Sequence, residues 1–531
     1  MHFPDFSAPA RRGWLLLLLF LLVYSLDLAL PRDFWIQDEA RYGEVVREMV
    51  VEGHWLIPHL GGSPYPDKPA PYFWLVAGVG TVVGQGEFSF RLVTLASTVA
   101  AASGVYLVAL RLLGASVAFF ASVVFLTSVL TLIVGHIMRM DMLLTAVTVH
   151  AWHSLVRWRS LASAPSTANV RWLIAFWALT ALGLMVKGPI SFLFTLLPAM
   201  LWLACEEDGR GVRGLRLGRG LGVLLLLVVC WAAAVYAQHE SGYIYKIWHD
   251  QLIGRAVNAW SHREPMWFYL VLLPLLCMPW TALLPTGMRY LSQEHPLAFR
   301  SIVGFTLFPL VGLSLVSGKL FLYLEPIYPG LSIVAGSVAA LRFTSTERVT
   351  RAVGWSSVLF FGFLAVGVGY GAHHSLAGGE SAGLALAALL LLFTGVAVFR
   401  LRAPWHDWIR THIFLMVGCA WLFFGPLFTL MNPMFSGRAL GEYVAAVTPA
   451  TMPVGVSGIT RGILDYYTRR TLTELPLGDV SAWRTKNPGA LVIVPTGALP
   501  TIFGAANVLE SCRVRRAFTV ETKEYYVVGD C

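Results

Sequence analysis

The sequence predicts an α-helical polytopic membrane protein with about 13 transmembrane helices, followed by a small C-terminal α/β domain. Three observations carry this prediction. Of 531 residues, 56% are hydrophobic and 13% charged, with a mean hydropathy of +0.66, far more apolar than an ordinary soluble domain. Apolar runs of about 17 to 25 residues, enough to cross a bilayer, recur between residues 14 and 431. From residue 432 onward the composition is that of a soluble protein. The expected division is a transmembrane region over 1–431, with an outer loop at 32–90, and a soluble region over 432–531.

The first run, "GWLLLLLFLLVYSLDLALP", follows Arg11 and Arg12 and has no small-residue cleavage site after it, so it reads as a retained span. The next apolar stretch, 70–84, is short and broken by Pro and several Gly. Placed as a juxtamembrane helix instead of a span, it brings the basic residues into order. Spans then fall near 14–31, 91–112, 115–136, 142–157, 172–186, 189–205 and 220–238, and further on near 266–287, 301–316, 320–341, 353–371, 382–399 and 411–431. With the N-terminus inside, every internal loop carries arginine, from Arg111 through Arg157, Arg159 and Arg171 to Arg400, Arg402 and Arg410. The formal charge of +9 is thereby explained by topology, and a nucleic-acid partner is not indicated.

Asp38, the loop at 239–265 and the tail from 432 share the outer side in this arrangement. Few basic residues lie there, and they stand beside distinctive neighbours: Lys68 in "YPDKPAP", Arg139 in "RMDM", Lys187 in "MVKGP", Arg255 in "QLIGRA" and Lys319 in "SGKLFLY". The segment "ARYGEVVREMVVEG" places Tyr42, Val45, Val46, Met49 and Val50 on one helical stripe, with Glu44, Arg47, Glu48 and Glu52 elsewhere, and Gly53 as a stop. It is expected to lie flat at the interface, with Asp38 near its N-terminus, where the dipole favours a carboxylate. Prolines around Asp67 and Lys68 stiffen the next stretch, which suits a lysine presented to a lipid phosphate. Arg139 and Asp141 are expected to pair, and Lys187 calls for an anion or carboxylate, because an unmatched charge between apolar runs is costly. In the loop at 239–265, His249 and His262, together with Asp67, form a candidate site for a divalent metal ion, without any compact ligand motif. Lys319 enters a span ahead of Tyr323 and Glu325, with Pro326 and Pro329 breaking the helix.

Of six cysteines, Cys205, Cys230, Cys277 and Cys419 read as small buried hydrophobes, while Cys512 and Cys531 in the tail are candidates for a disulfide. The tail has strand-like runs "GALVIVP", "RRAFTVE" and "EYYVVGD" and a helical candidate "ITRGILDYYTRRTL", hence the expected α/β domain. Neither an internal repeat nor matched broken helices point to a transporter, and there is no Gly-rich nucleotide loop.

"DEARYGEVVREMVVEGHWLIPHLGGSPYPDKPAPYFW", with the later "RMD", "VKGP", "HREPMWFYLVLLPLLCMPW" and "SGKLFLYLEPIYP", resembles the GT-C membrane glycosyltransferases of the aminoarabinose-transferase and protein-mannosyltransferase kind. The family's acidic residue before Lys-Pro is aspartate in this chain, Asp67, and the stretch after Gly-Lys is "LFLYLEP". The resemblance implies a GT-C fold and inverting transfer of a sugar from a polyprenyl-phosphate donor at the periplasmic face of a bacterial inner membrane. Lipid A or a related glycolipid would be the acceptor and no nucleotide cofactor would be needed; the alternatives are a protein O-mannosyltransferase-like enzyme and a lipid-linked sugar flippase. It further implies Asp38, with Glu39 beside it, as catalytic carboxylates, and Lys68, Arg255 and Lys187 as donor-phosphate ligands. Tyr42, Arg41, Tyr65, Asp141, Lys319 and Tyr323 would line the substrate cavity.

Overall fold

The computed structural model describes residues 9–30, 32–35, 37–161, 167–205, 210–238, 241–247, 263–341, 347–375, 380–402, 405–503 and 513–529. The chain forms two compact units. One comprises Met1–Ala29, Asp67–Pro69 and Leu92–Leu427; the other comprises Leu30–Pro66, Ala70–Arg91 and Phe428–Cys531.

The first unit is helical, and helices occupy each of the thirteen stretches that the apolar runs mark. It begins with α1 (Pro9–Ala29) and continues after the loop with α4 (Glu87–Leu113), α5 (Ala115–Thr127), α6 (Val129–Val134), α7 (Asp141–Ser160) and α8 (Thr167–Lys187), where α2 (Gln37–Glu52) and α3 (Pro71–Val83) intervene in sequence. Among the described residues, seven helices are long and apolar enough to cross a membrane, or eight if Phe268–Leu276 and Trp280–Glu294, bent by 103°, make one span. The stretch 115–136 is broken at Ser128, which is extended at φ −84° and ψ 152°. The break is stabilised from outside the helix: Val129 N–H donates to Met278 O at 3.1 Å, and Trp280 Nε1 donates to Thr127 Oγ1 at 3.0 Å.

Packing in this unit relies on small residues. A methyl group on Gly336 would stand 2.5 Å from the Ala121 nitrogen, so α5 and the helix Tyr328–Ala340 approach as closely as only glycine permits. Outward-facing residues such as Leu221, Leu225, Leu226, Phe363 and Val366 are instead 45% to 79% exposed. So much open apolar surface is untenable in water and ordinary against lipid; this is a multi-pass membrane protein. Cys277 and Cys419 are buried as expected, whereas Cys205 and Cys230 are exposed. The correction follows from the same fact, since helices such as Leu217–Ala237 present most of their apolar surface outward, where no protein atoms cover a thiol. Cys512 and Cys531 lie outside the described residues.

The second unit carries a five-stranded sheet built from β3 (Val454–Val456), β4 (Thr473–Glu474), β5 (Leu491–Pro495), β6 (Arg513–Val520) and β7 (Lys523–Gly529) in the order β4-β3-β5-β7-β6. The first two pairings are parallel and the other two antiparallel. A separate two-stranded ribbon pairs β1 (His59–Leu60) with β2 (Ser63–Pro64). Three strands were legible as apolar runs; β3 and β4 are two or three residues long and carry too little pattern to be read. The helix read over "ITRGILDYYTRRTL" is confined to Ile463–Thr468, closed by Arg469 at a left-handed φ of 54°. Val480, Val492, Val494 and Val528 form the centre of the domain core, all with no exposed surface.

Helix α2 forms as its stripe predicts, but it does not lie flat on a surface. Tyr42, Val45 and Met49 are fully buried, and so are Glu39, Glu44 and Glu48, because α2 packs on Ile463–Thr468 on one side and on α3 and β1 on others. The tight approach uses Gly43, where an added Cβ would meet the Phe34 ring at 2.5 Å. Each buried carboxylate has its own donors. Arg47 Nε and a terminal guanidinium nitrogen both reach Glu44 at 2.7 Å, and the Gly61 and Gly62 amides donate to Glu48. Burial pushes the Glu44 carboxyl up to about 7 from 4.5, with the Arg47 hydrogen bond pulling the other way. A folded-state value above the unfolded one gives stability that is complete below pH 4.5 and lost as the pH rises through 7. Melting temperatures should therefore fall between pH 5 and 8 by more in the wild type than in Glu44→Gln, the difference amounting to about 3 kcal/mol at most.

Candidate active site

In the membrane unit several of the candidate side chains gather at helix ends. The first turn of α7 supplies Asp141, and its last turn carries Arg157 and Arg159, a charge order that complements the helix dipole at both ends. Lys187 is the final residue of α8; Gly188, at a φ of 79°, ends that helix and lets the chain turn away. Asp141 is 1% exposed and meets Arg139 Nε at 3.2 Å. Its other oxygen accepts a short hydrogen bond from Lys187 Nζ. The ammonium of Lys187 also lies 4.5 Å from the centroid of the Tyr323 ring, a cation–π contact. Lys68 acts electrostatically on the same carboxylate. Two cations thus contact one carboxylate and a third acts on it at longer range, while the carboxylate in turn acts on the buried Glu325.

Both expected partnerships, Arg139 with Asp141 and Lys187 with a carboxylate, are realised through a single residue. Tyr323 belongs to the 3-10 segment Phe321–Ile327, which also carries the fully buried Glu325. Thr131 on α6 donates to Glu325 Oε1 at 3.0 Å and so ties this segment to the broken helix. Lys319 is 3% exposed and donates to Glu264 O at 2.8 Å, beside the bridge between Arg263 and Gly318. That geometry makes it a clasp between two chain segments.

The outer-loop unit holds the second group. Asp38, in the first turn of α2, is 25% exposed and lies 3.6 Å from Arg41. Arg41 in turn stands over the Tyr65 ring, 5.5 Å from its centroid. Glu39 is placed differently from its neighbour. It has no exposed surface, receives both terminal nitrogens of Arg32 at 2.7 and 3.2 Å, and accepts the Trp35 amide at 2.9 Å. Tyr42 is fully buried against Tyr72 and Phe73, with ring centroids 6.0 and 5.4 Å away, so it packs the core of this unit. Arg32 was not singled out in the sequence; its only signal is position, directly after the first span and seven residues before Glu39.

Asp67 is half-buried and acts on Tyr243, whose phenol is pushed up by burial first and by this carboxylate second. His249, His262 and Arg255 lie outside the described residues. Among the described residues, no group of three or more His, Cys, Asp or Glu side chains is arranged to hold a metal ion.

Residues 67–236 match the family model described as dolichyl-phosphate-mannose-protein mannosyltransferase. The chain is 29% identical over 66% of its length to an undecaprenyl phosphate-alpha-4-amino-4-deoxy-L-arabinose arabinosyl transferase of Enterobacter sp. (strain 638), and the match spans 63% of that protein. The transferase of the same name from Pectobacterium atrosepticum is 30% identical, with 83% of this chain and 78% of the relative covered. Among solved structures, the crystal structure of ArnT from Cupriavidus metallidurans bound to undecaprenyl phosphate superposes with a TM-score of 0.81 over 98% of this chain and 97% of that one, at 18% identity. A likeness at that identity establishes the fold, and it is the GT-C architecture that the outer-loop motifs imply.

Removing one partner from a buried ion pair costs about 3–5 kcal/mol, because the remaining charge stays buried. Asp141→Leu, which strands Arg139 and Lys187 together, should lower the melting temperature of the detergent-purified protein. Lys187→Met leaves Asp141 paired with Arg139 and should lower it less.

Proposed function

This chain belongs to the family of undecaprenyl phosphate-alpha-4-amino-4-deoxy-L-arabinose arabinosyl transferases, and on that premise we propose that it is an inverting glycosyltransferase using a polyprenyl-phosphate sugar. The acceptor is lipid A or a related glycolipid, and the reaction takes place at the periplasmic face of a bacterial inner membrane. The observation that carries this reading is the convergence of Lys187, Arg139 and Lys68 on Asp141.

Glycosyl transfer from such a donor breaks the bond between the anomeric carbon and a phosphate oxygen. Negative charge accumulates on the departing polyprenyl phosphate, and preorganised cations lower the barrier by meeting it there. In this reading Lys187 and Lys68 take the phosphate, while Asp141 holds Lys187 in place over Tyr323. The acceptor hydroxyl forms the new bond at the opposite face of the anomeric carbon and loses its proton to a carboxylate. Asp38 is assigned that role because it is partly open to solvent. Glu39, enclosed by Arg32 and the Trp35 amide, is assigned to holding the loop.

The match of residues 67–236 to a protein mannosyltransferase model favours one second reading, in which a protein hydroxyl is the acceptor. Incubating the purified chain with the polyprenyl-phosphate sugar and either lipid A or a Ser/Thr peptide decides between them, and labelled lipid A is the expected product. Movement of the donor across vesicles without any covalent product would contradict both readings. Asp38→Asn should reduce transfer at least about a hundredfold, the lower range for loss of a positioned base. Lys187→Met should raise the donor KM while also lowering kcat; wild-type kinetics in either variant would remove that residue from its role.

A further inference from the structure

Residues 32–35 run between the first span and α2 with no helix or strand of their own, yet Phe34 is 1% exposed. Backbone amides in such a segment need partners from elsewhere. Three consecutive amides have them. Asp33 N–H donates to Asn432 Oδ1 at 3.3 Å, Phe34 N–H to the Tyr467 hydroxyl at 3.0 Å, and Trp35 N–H to Glu39 Oε2 at 2.9 Å. The Trp35 indole nitrogen donates to Asn432 Oδ1 as well. Two of these four donors end on Asn432, in the helix Phe428–Phe435, and one on Tyr467, so the C-terminal part of the chain supplies most of what fixes the segment.

Charges reinforce the same connection. Arg438 reaches Asp33 Oδ1 at 2.7 Å and Glu87 Oε1 at 2.6 Å, and its guanidinium lies 5.2 Å from the centre of the Tyr467 ring. The Tyr467 hydroxyl, having accepted from Phe34, donates onward to Glu87 Oε1 at 3.3 Å. The Phe34 ring packs edge-on against Tyr466, 5.0 Å between centroids, and both press on Gly43 of α2.

We propose that the tail, through Asn432, Arg438 and Tyr467, is a positioning element for Asp38. It fixes residues 33–35, and these lead directly into the first turn of α2, where Asp38 stands. The inference rests on the reading of Asp38 given above. It assigns the tail a part in setting the turnover rate, distinct from covering the membrane unit or binding the acceptor. A displacement of about 1 Å in a catalytic group can cost about a hundredfold in rate, so small losses in this network are expected to register in kcat.

The test measures kcat and KM for donor and acceptor with the full-length protein, a polyprenyl-phosphate sugar and lipid A. Tyr467→Phe removes one hydroxyl and Asn432→Ala removes one amide. Counted per folded molecule, each should lower kcat by about ten- to a hundredfold while both KM values stay within about twofold; loss of folded protein alone leaves the kcat per folded molecule unchanged. Arg438→Gln should do the same; if that variant fails to fold, the two neutral substitutions still decide the matter. Wild-type kcat in Tyr467→Phe and Asn432→Ala, or a raised acceptor KM with kcat unchanged, overturns the proposal. Asp38→Asn, run alongside, separates the two claims. If it is inactive while the tail variants turn over normally, only the positioning role falls; if it is fully active, the reading of Asp38 falls and this inference with it.

Discussion

A carboxylate enclosed among apolar helices has to be matched by positive charge, and in the membrane unit that constraint is met at Asp141. Its two oxygens face Arg139 and Lys187, so the connection before α7, the first turn of α7 and the last residue of α8 are brought to one place. Tyr323 completes the arrangement under the Lys187 ammonium, which adds the 3-10 segment Phe321–Ile327. The pairing costs desolvation on both sides, and a buried ion pair contributes little net stability by comparison with apolar packing. Its value in this chain is positional: a single carboxylate orients the cations of two chain segments.

The outer-loop unit meets a related constraint with hydrogen bonds. A chain that leaves a span and turns into a buried helix passes through residues that have no regular partners, and their amides have to be satisfied nonetheless. Glu39 satisfies one from within the loop, and side chains four hundred residues later in the sequence satisfy others. Glu44 and Glu48 follow the same logic along α2, the first held by Arg47 and the second by two glycine amides of the β1–β2 ribbon. Three buried carboxylates on one short helix are each met by dedicated donors, and Asp38 alone of the four acidic residues from 38 to 48 keeps an exposed surface.

Much of this was legible in the sequence because the signals are local. Apolar runs gave the helices of the membrane unit, the stripe from Tyr42 to Met49 gave α2, and the runs ending in "VIVP" and "YYVVG" gave strands. The pairing of Arg139 with Asp141 was legible because a single residue separates them. What the sequence could not reveal depends on distance along the chain. Glu44 and Glu48 read as polar residues off the apolar stripe, and nothing local announces that Ile463–Thr468 will cover them. Arg438 and Tyr467 carry no motif, and their importance arises only when Asp33, Phe34 and Glu87 are folded against them. Nothing local around Lys319 announces its bond to the backbone of Glu264.

The central claim is that the cations gathered around Asp141 receive the phosphate of a polyprenyl lipid. Equilibrium binding of undecaprenyl phosphate and of undecaprenol to the purified protein tests it most directly, because the two ligands share the chain and differ only in the phosphate. The account predicts that the phosphate ester binds at least about tenfold tighter, about 1.4 kcal/mol, and that Lys187→Met narrows the gap. Equal affinity for the two lipids, in a protein that still binds both, would contradict it.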